Sequence, residues 1–121
     1  MHPLDKLKVH DGALLFIRDV YVAARSISEL DLRGQLLRSA RSIAANLAEG
    51  AGSESQAAFA RYIAIAIASA RESQSHLQIA RASGQLSSTQ YEALVSQLAL
   101  LMRRMYRLLI VVRANTQRRA R

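Results

Sequence analysis

Two stretches of the chain repeat small and apolar residues with one stagger. Phe59, Ile63, Ala66, Ala70, Ser73, Leu77 and Ala80 step by 4, 3, 4, 3, 4, 3, and Leu94, Leu98, Leu101, Met105, Leu108 and Val112 by 4, 3, 4, 3, 4. A helix turns about 100° per residue, so this stagger draws one narrow seam along its side. Strand alternation is excluded over both stretches, and such seams suit helices packed at about 20° to each other. Gly84 and Ser87-x-x-Gln90 lie between them. Glycine closes a helix by adopting the left-handed conformation, and the Ser/Gln pair is a capping box that opens the next one.

Two further helices precede these. One is expected over about Leu32–Glu49, with Leu32, Leu36, Ala40, Ile43 and Leu47 on its buried stripe and Asp31 as its N-cap. Gly50-Ala51-Gly52 is expected to end it through a left-handed glycine. Ser53-x-x-Gln56 then forms a capping box, with Ser55 as a competing cap, for a helix over about Glu54–Ser83. The first helix is expected over about Asp5–Ser26, with Leu7, Leu14, Ile17, Tyr21 and Ala24 on its inner face and Asp5 as negative charge near its start. One Pro and five Gly in 121 residues leave too little punctuation for many short strands, and the absence of Cys excludes a disulfide framework or a thiolate metal site. The resulting expectation is an all-α, antiparallel up-down four-helix bundle over residues 1–114, followed by a basic tail at 115–121.

Charge is distributed unevenly. The net charge is +8, from 17 basic and 9 acidic residues. From Arg103 onward there are seven arginines (Arg103, Arg104, Arg107, Arg113, Arg118, Arg119 and Arg121) and no acid, so the rest of the chain is nearly neutral. A basic end of this kind favours polyanions such as nucleic acid or anionic lipid, the alternative being a solvated helix face with a frayed terminus. The most apolar stretch, Leu98–Val112, is broken by Arg103, Arg104 and Arg107 and cannot span a bilayer. With no visible targeting signal, a cytoplasmic protein is expected.

Catalytic chemistry has little to stand on. His2, His10 and His76 are scattered, and Glu72 with His76 reads as a helical i,i+4 pair rather than the start of a metal site. No nucleophile elbow or phosphate-cradling loop is present, so no enzyme and no cofactor are expected. Tyr62, Tyr91 and Tyr106 are at core-like spacings and read as packing residues with wet hydroxyls. Around the third helix, Ala60, Ala64, Ile65, Ile67 and Ala68 widen the apolar arc beyond what a monomeric bundle uses, so they are expected to form an oligomer interface, the alternative being a neutral Ala-rich exposed face.

One polar cluster lies on the second helix and its exit: Arg38, Arg41, Ser42, Asn46, Glu49, Gly50 and Gly52. Glu49 opposes the helix dipole, which calls for a partner such as an arginine or the first amides of the third helix. The cluster reads either as a network pinning the corner between the second and third helices or as a binding site.

The run from Gln35 to Gly50 resembles the signature of the four-helix-bundle proteins encoded in intervening sequences of bacterial 23S ribosomal RNA genes. In that family it reads approximately Gln-Leu-Arg-Arg-Ala, then Ser-Ile-Pro-x-Asn-Ile-Ala-Glu-Gly-x-Gly-Arg. Lys6-Leu7-Lys8-Val9, Phe59, Ala66, Ser69, Glu72 and Leu77 fit as well. Here Ala44 replaces the family's Pro, Ser53 its Arg after the second Gly, Ala58 its Glu before the Phe, and His10 an aromatic. The resemblance implies an up-down bundle in a ring-shaped homo-oligomer, with a pentamer favoured. It also implies kinship with basic accessory proteins that bind nucleic acid and a reverse transcriptase. The family has no established biochemical activity, so the expectation for function comes from the basic end: non-enzymatic binding of the RNA or DNA backbone through its arginines, without a membrane role. A homo-oligomeric adaptor for a protein partner is the alternative.

Overall fold

A computed structural model describes residues 3–120, leaving out the side chains of residues 3–5, 7, 119 and 120. Four helices follow in order: α1 (Pro3–Ala24), α2 (Leu30–Ala51), α3 (Gln56–Ala82) and α4 (Ser88–Ala120). α1 packs on α2 and α4, and α3 packs on α2 and α4, while among the described residues the diagonal pairs α1–α3 and α2–α4 have no close backbone approach. Connections of four or five residues make each successive pair antiparallel, giving the up-down bundle. α4 has 33 residues, about 50 Å at 1.5 Å per residue, and its helix continues through most of the segment expected as a tail.

The core follows the seams of α2, α3 and α4. Leu36, Ile43, Ile63, Ala66, Ala70, Ser73, Leu77, Leu98, Met105 and Val112 are all essentially inaccessible to solvent. On α1 the inner face differs from the expected one. Val9, Ala13, Phe16, Val20 and Ala23 are buried, while Leu14 is 48% and Tyr21 43% exposed. Ile17 is half-buried and Ala24 is buried, whereas the Leu7 and Asp5 side chains lie outside the described residues. The cause is ambiguity: from Ala13 to Ala24 only Arg18 and Asp19 are polar, so two stripes have helical spacing. The stripe that steps 4, 3, 4, 3 carries Phe16 and matches the seams of its neighbours, and that stripe faces inward.

The helix ends show which local signals prevail. α3 ends in a Schellman arrangement: Gly84 has φ +77°, its N–H donates to Arg81 O (3.1 Å), and Gln85 N–H donates to Ala80 O (2.8 Å). The α4 capping box is reciprocal, with Ser87 N–H donating to Gln90 Oε1 (3.0 Å) and Gln90 N–H to Ser87 Oγ (3.1 Å). At the start of α3 the cap is Ser55, whose Oγ accepts from Ala58 N–H (3.1 Å), while Ser53 Oγ instead donates to Gly50 O (2.6 Å). Asp31 is not the cap of α2. That position is Glu29, without a side-chain cap bond, and Asp31 in the first turn accepts from Gln35 Nε2 (2.7 Å). The earlier start follows from the turn, where Glu29 N–H is held by Gln85 Oε1 (2.9 Å). Gln90 Nε2 also donates to Ser26 Oγ (3.1 Å), so the α1–α2 and α3–α4 connections are stitched together over buried Ile27 and Leu86.

Gly50 does not stop α2. It lies inside the helix, and the terminal residue Gly52 is right-handed at φ −89°. What requires glycine at position 50 is space: a Cβ there would fall 2.8 Å from both Phe59 Cδ1 and Tyr62 Cβ. The corner is a close helix–helix approach rather than a left-handed turn.

Candidate nucleic-acid interface

The cluster singled out on α2 divides into two groups. Ser42 Oγ lies 2.8 Å from Ser69 Oγ of α3, and Asn46 Nδ2 donates to Ser42 O (2.8 Å) and Ser42 Oγ (3.0 Å). One turn along the seam, Ser39 Oγ donates to Leu36 O (3.0 Å) and meets Ser73 Oγ at 2.8 Å in the buried core. Together with Gly50, these residues fix the register and closeness of α2 on α3. Arg38 and Arg41 stand outside, Arg41 reaching the Tyr21 hydroxyl of α1 (3.4 Å). Glu49 is exposed and, among the described residues, neither of its expected partners engages it, since Ser55 already caps α3. The corner is thus a structural network with two arginines beside it.

The buried serine pair has a measurable signature. Ser39→Ala and Ser73→Ala are each expected to cost about 1 kcal/mol, because the remaining hydroxyl loses a buried partner. The double variant is expected to cost less than the two together, in a double-mutant cycle read by urea unfolding. Additive losses would show that the two hydroxyls do not support each other.

The arginines of α4 are placed differently. Arg103, Arg104, Arg107, Arg113 and Arg118 are all exposed, and α4 has no acid beyond Glu92. Among the described residues none of them lies within ion-pair distance of a carboxylate. Arg118 donates to Asn115 Oδ1, and the Arg104 guanidinium lies near Gly12 of α1. Arg119 and Arg121, also expected in the basic surface, have side chains outside the described residues. The arginines are therefore available, and guanidinium groups suit bidentate phosphate contacts.

All four helices meet at the end of the bundle that carries these arginines. Lys6 and His10 of α1, Leu47, Ala48 and Ala51 of α2, Phe59 of α3 and Leu108 of α4 line a cleft of about 180 Å³, with Lys6 Nζ 4.9 Å from the Phe59 ring centre. Arg113 and Arg118 are on the turns of α4 past this level. The fold thus brings the α2–α3 corner and the basic end to one pole, although they are far apart in sequence.

The residues expected to join protomers are also divided. Ile67 is 3% exposed and part of the protomer's own core, and Ala60 packs against that core. Ile65 (42% exposed) and Ala68 remain on the surface and Ala64 is half-buried. Larger exposed apolar groups are elsewhere: Leu14, Leu15 and Val22 on α1, and Leu100 and Ile110 on α4. Glu72 and His76 form their i,i+4 pair at 3.4 Å.

A contact that sequence reasoning missed joins α3 to α4. Arg71 donates to the Tyr106 hydroxyl, and its guanidinium lies 5.6 Å from the ring centre. Tyr106 is exposed, whereas Tyr62 and Tyr91 are half-buried as packing residues. The available signal was position: Tyr106 falls between the seam residues Met105 and Leu108, on the outer side.

No helix among the described residues is long and apolar enough to cross a membrane. No curated protein matches the sequence. A crystal structure of a protein of unknown function from Bacteroides thetaiotaomicron, of the S23 ribosomal protein family, is similar, with a TM-score of 0.79 and 25% identity over 87% of this chain and 97% of that one. Residues 5–107 match the family described as 23S rRNA-intervening sequence protein. With an all-helical bundle, the Asn46–Gly50 corner and that match over most of its length, the chain belongs to the 23S rRNA-intervening sequence protein family.

Proposed function

We propose that this is a non-enzymatic cytoplasmic protein that binds the RNA or DNA backbone through the outer side of α4. The carrying observation is the set of exposed arginines, Arg103, Arg104, Arg107, Arg113 and Arg118, on a helix with no acid beyond Glu92. Charge without a groove-reading motif gives phosphate contact without sequence readout. Self-association into a closed ring, with a pentamer favoured, would multiply the basic end into a polyvalent surface. Exposed Leu14, Leu15, Val22 and Ile65 support burial against further copies.

Fluorescence anisotropy of labelled RNA and DNA over a salt series is the test. Log affinity should fall linearly with log salt, by about 0.7 to 0.9 per phosphate contacted. The same row on α1 favours the second reading, an adaptor for a protein partner. If purified protein shows no nucleic-acid absorbance at low salt and binds neither probe, the adaptor reading replaces the first. A monomeric mass by light scattering at micromolar concentration would remove the ring.

A further inference from the structure

We propose that Tyr106 is a base-stacking platform and that the ligand of the α4 surface is single-stranded nucleic acid, not duplex. This rests on the nucleic-acid reading above and narrows its ligand. Arg103, Tyr106, Ile110 and Arg113 step by 3, 4, 3, so they form a second stripe on α4, outside the buried seam. All four are exposed, Ile110 to 67% and Tyr106 to 36%. A tyrosine kept only for packing would share the burial of its neighbours Met105 and Leu108. Instead its ring stands between cations that can hold the phosphates on either side of a base. The stripe from Arg103 to Arg113 covers about 15 Å along the helix.

Arg71 completes the arrangement from α3. Its hydrogen bond to the Tyr106 hydroxyl and its position beside the ring restrain the aromatic before any ligand arrives. A restrained side chain loses less freedom on binding. The guanidinium also offers a second planar surface against which a base can lie. Every base has a π-face, so such a platform tolerates any sequence, in keeping with the missing groove-reading motif. Only unstacked bases can use it, because a duplex keeps its base faces inside the stack.

The test compares an oligothymidylate of about 20 nucleotides with a duplex of equal length, by anisotropy at one moderate salt concentration. For the oligothymidylate, Tyr106→Ala and the bulkier Tyr106→Leu are expected to bind about tenfold more weakly, the lower part of the range for one lost stack. Tyr106→Phe keeps the ring but loses the Arg71 hydrogen bond, so it is expected to bind the oligothymidylate more weakly than the unchanged protein and more tightly than Tyr106→Ala. Duplex affinity should stay the same in all three variants, which also reports that they remain folded. Equal losses on both probes, or no loss on the oligothymidylate, would overturn the stacking role while leaving backbone binding intact. If the unchanged protein binds neither probe, both this inference and the proposed function fall.

Discussion

Phe16→Ala is expected to lower stability by about 3–5 kcal/mol, whereas Leu14→Ala, two residues away, should cost no more than about 1 kcal/mol. Phe16 is fully buried in the core, and removing its ring leaves a cavity that the close-packed interior can only partly close. Leu14 is 48% exposed, and its loss returns little surface to water. Domains of this size are commonly stable by 5–15 kcal/mol, so the phenylalanine variant approaches the limit of folding. Urea unfolding followed by far-UV circular dichroism measures both. Equal losses in the two variants would mean that α1 does not face the core as described.

The largest effect on ligand binding is expected from replacing Arg103, Arg104 and Arg107 together by Gln. Each phosphate contact contributes about 0.7 to the salt slope on a single strand and 0.9 on duplex. At about 0.1 M salt, one decade below the molar reference, three lost contacts correspond to an affinity drop of roughly a hundredfold on single strands and several hundredfold on duplex. The slope itself should become shallower by about two to three. Glutamine keeps the length and helix propensity of the side chain, and all three positions are exposed, so the fold should not change. An unchanged slope would place the phosphate contacts elsewhere. Arg38 and Arg41 of α2 would then be next in line.

What could be read in advance depended on how local the determining physics was. The seams of α2, α3 and α4, the Gly84 stop and the Ser87–Gln90 box each operate within a few residues, and all appear in the structure as expected. The inner face of α1 was illegible because apolar residues nearly encircle it, and only the partner helices choose between Phe16 and Leu14. Gly50 was recognisable as important but not for its reason. Its role depends on Phe59 and Tyr62, which approach only after α3 folds back. Ser73 stood in the seam as a small residue, and its bond to Ser39 crosses 34 positions. The arginine-rich surface could be read from charge alone, since its residues are consecutive turns of one helix. Arg71 beside Tyr106 could not, as those two are 35 positions apart.

The cyclic order of the helices bears on how the chain reaches this arrangement. Three of the four packed pairs are joined by connections of only four or five residues, so α1–α2 and α3–α4 can form as separate helical hairpins and α2–α3 can join them locally. Closing α4 onto α1 is different: the Ser26–Gln90 and Ser28–Gln85 bonds bridge 64 and 57 positions. Loop-closure entropy rises only logarithmically, so bridging some sixty residues rather than five costs about 2 kcal/mol more. That cost falls on a single event, after local contacts have already ordered both hairpins. The α1–α4 seam is accordingly expected to close last and open first, in a bundle otherwise assembled from nearest neighbours.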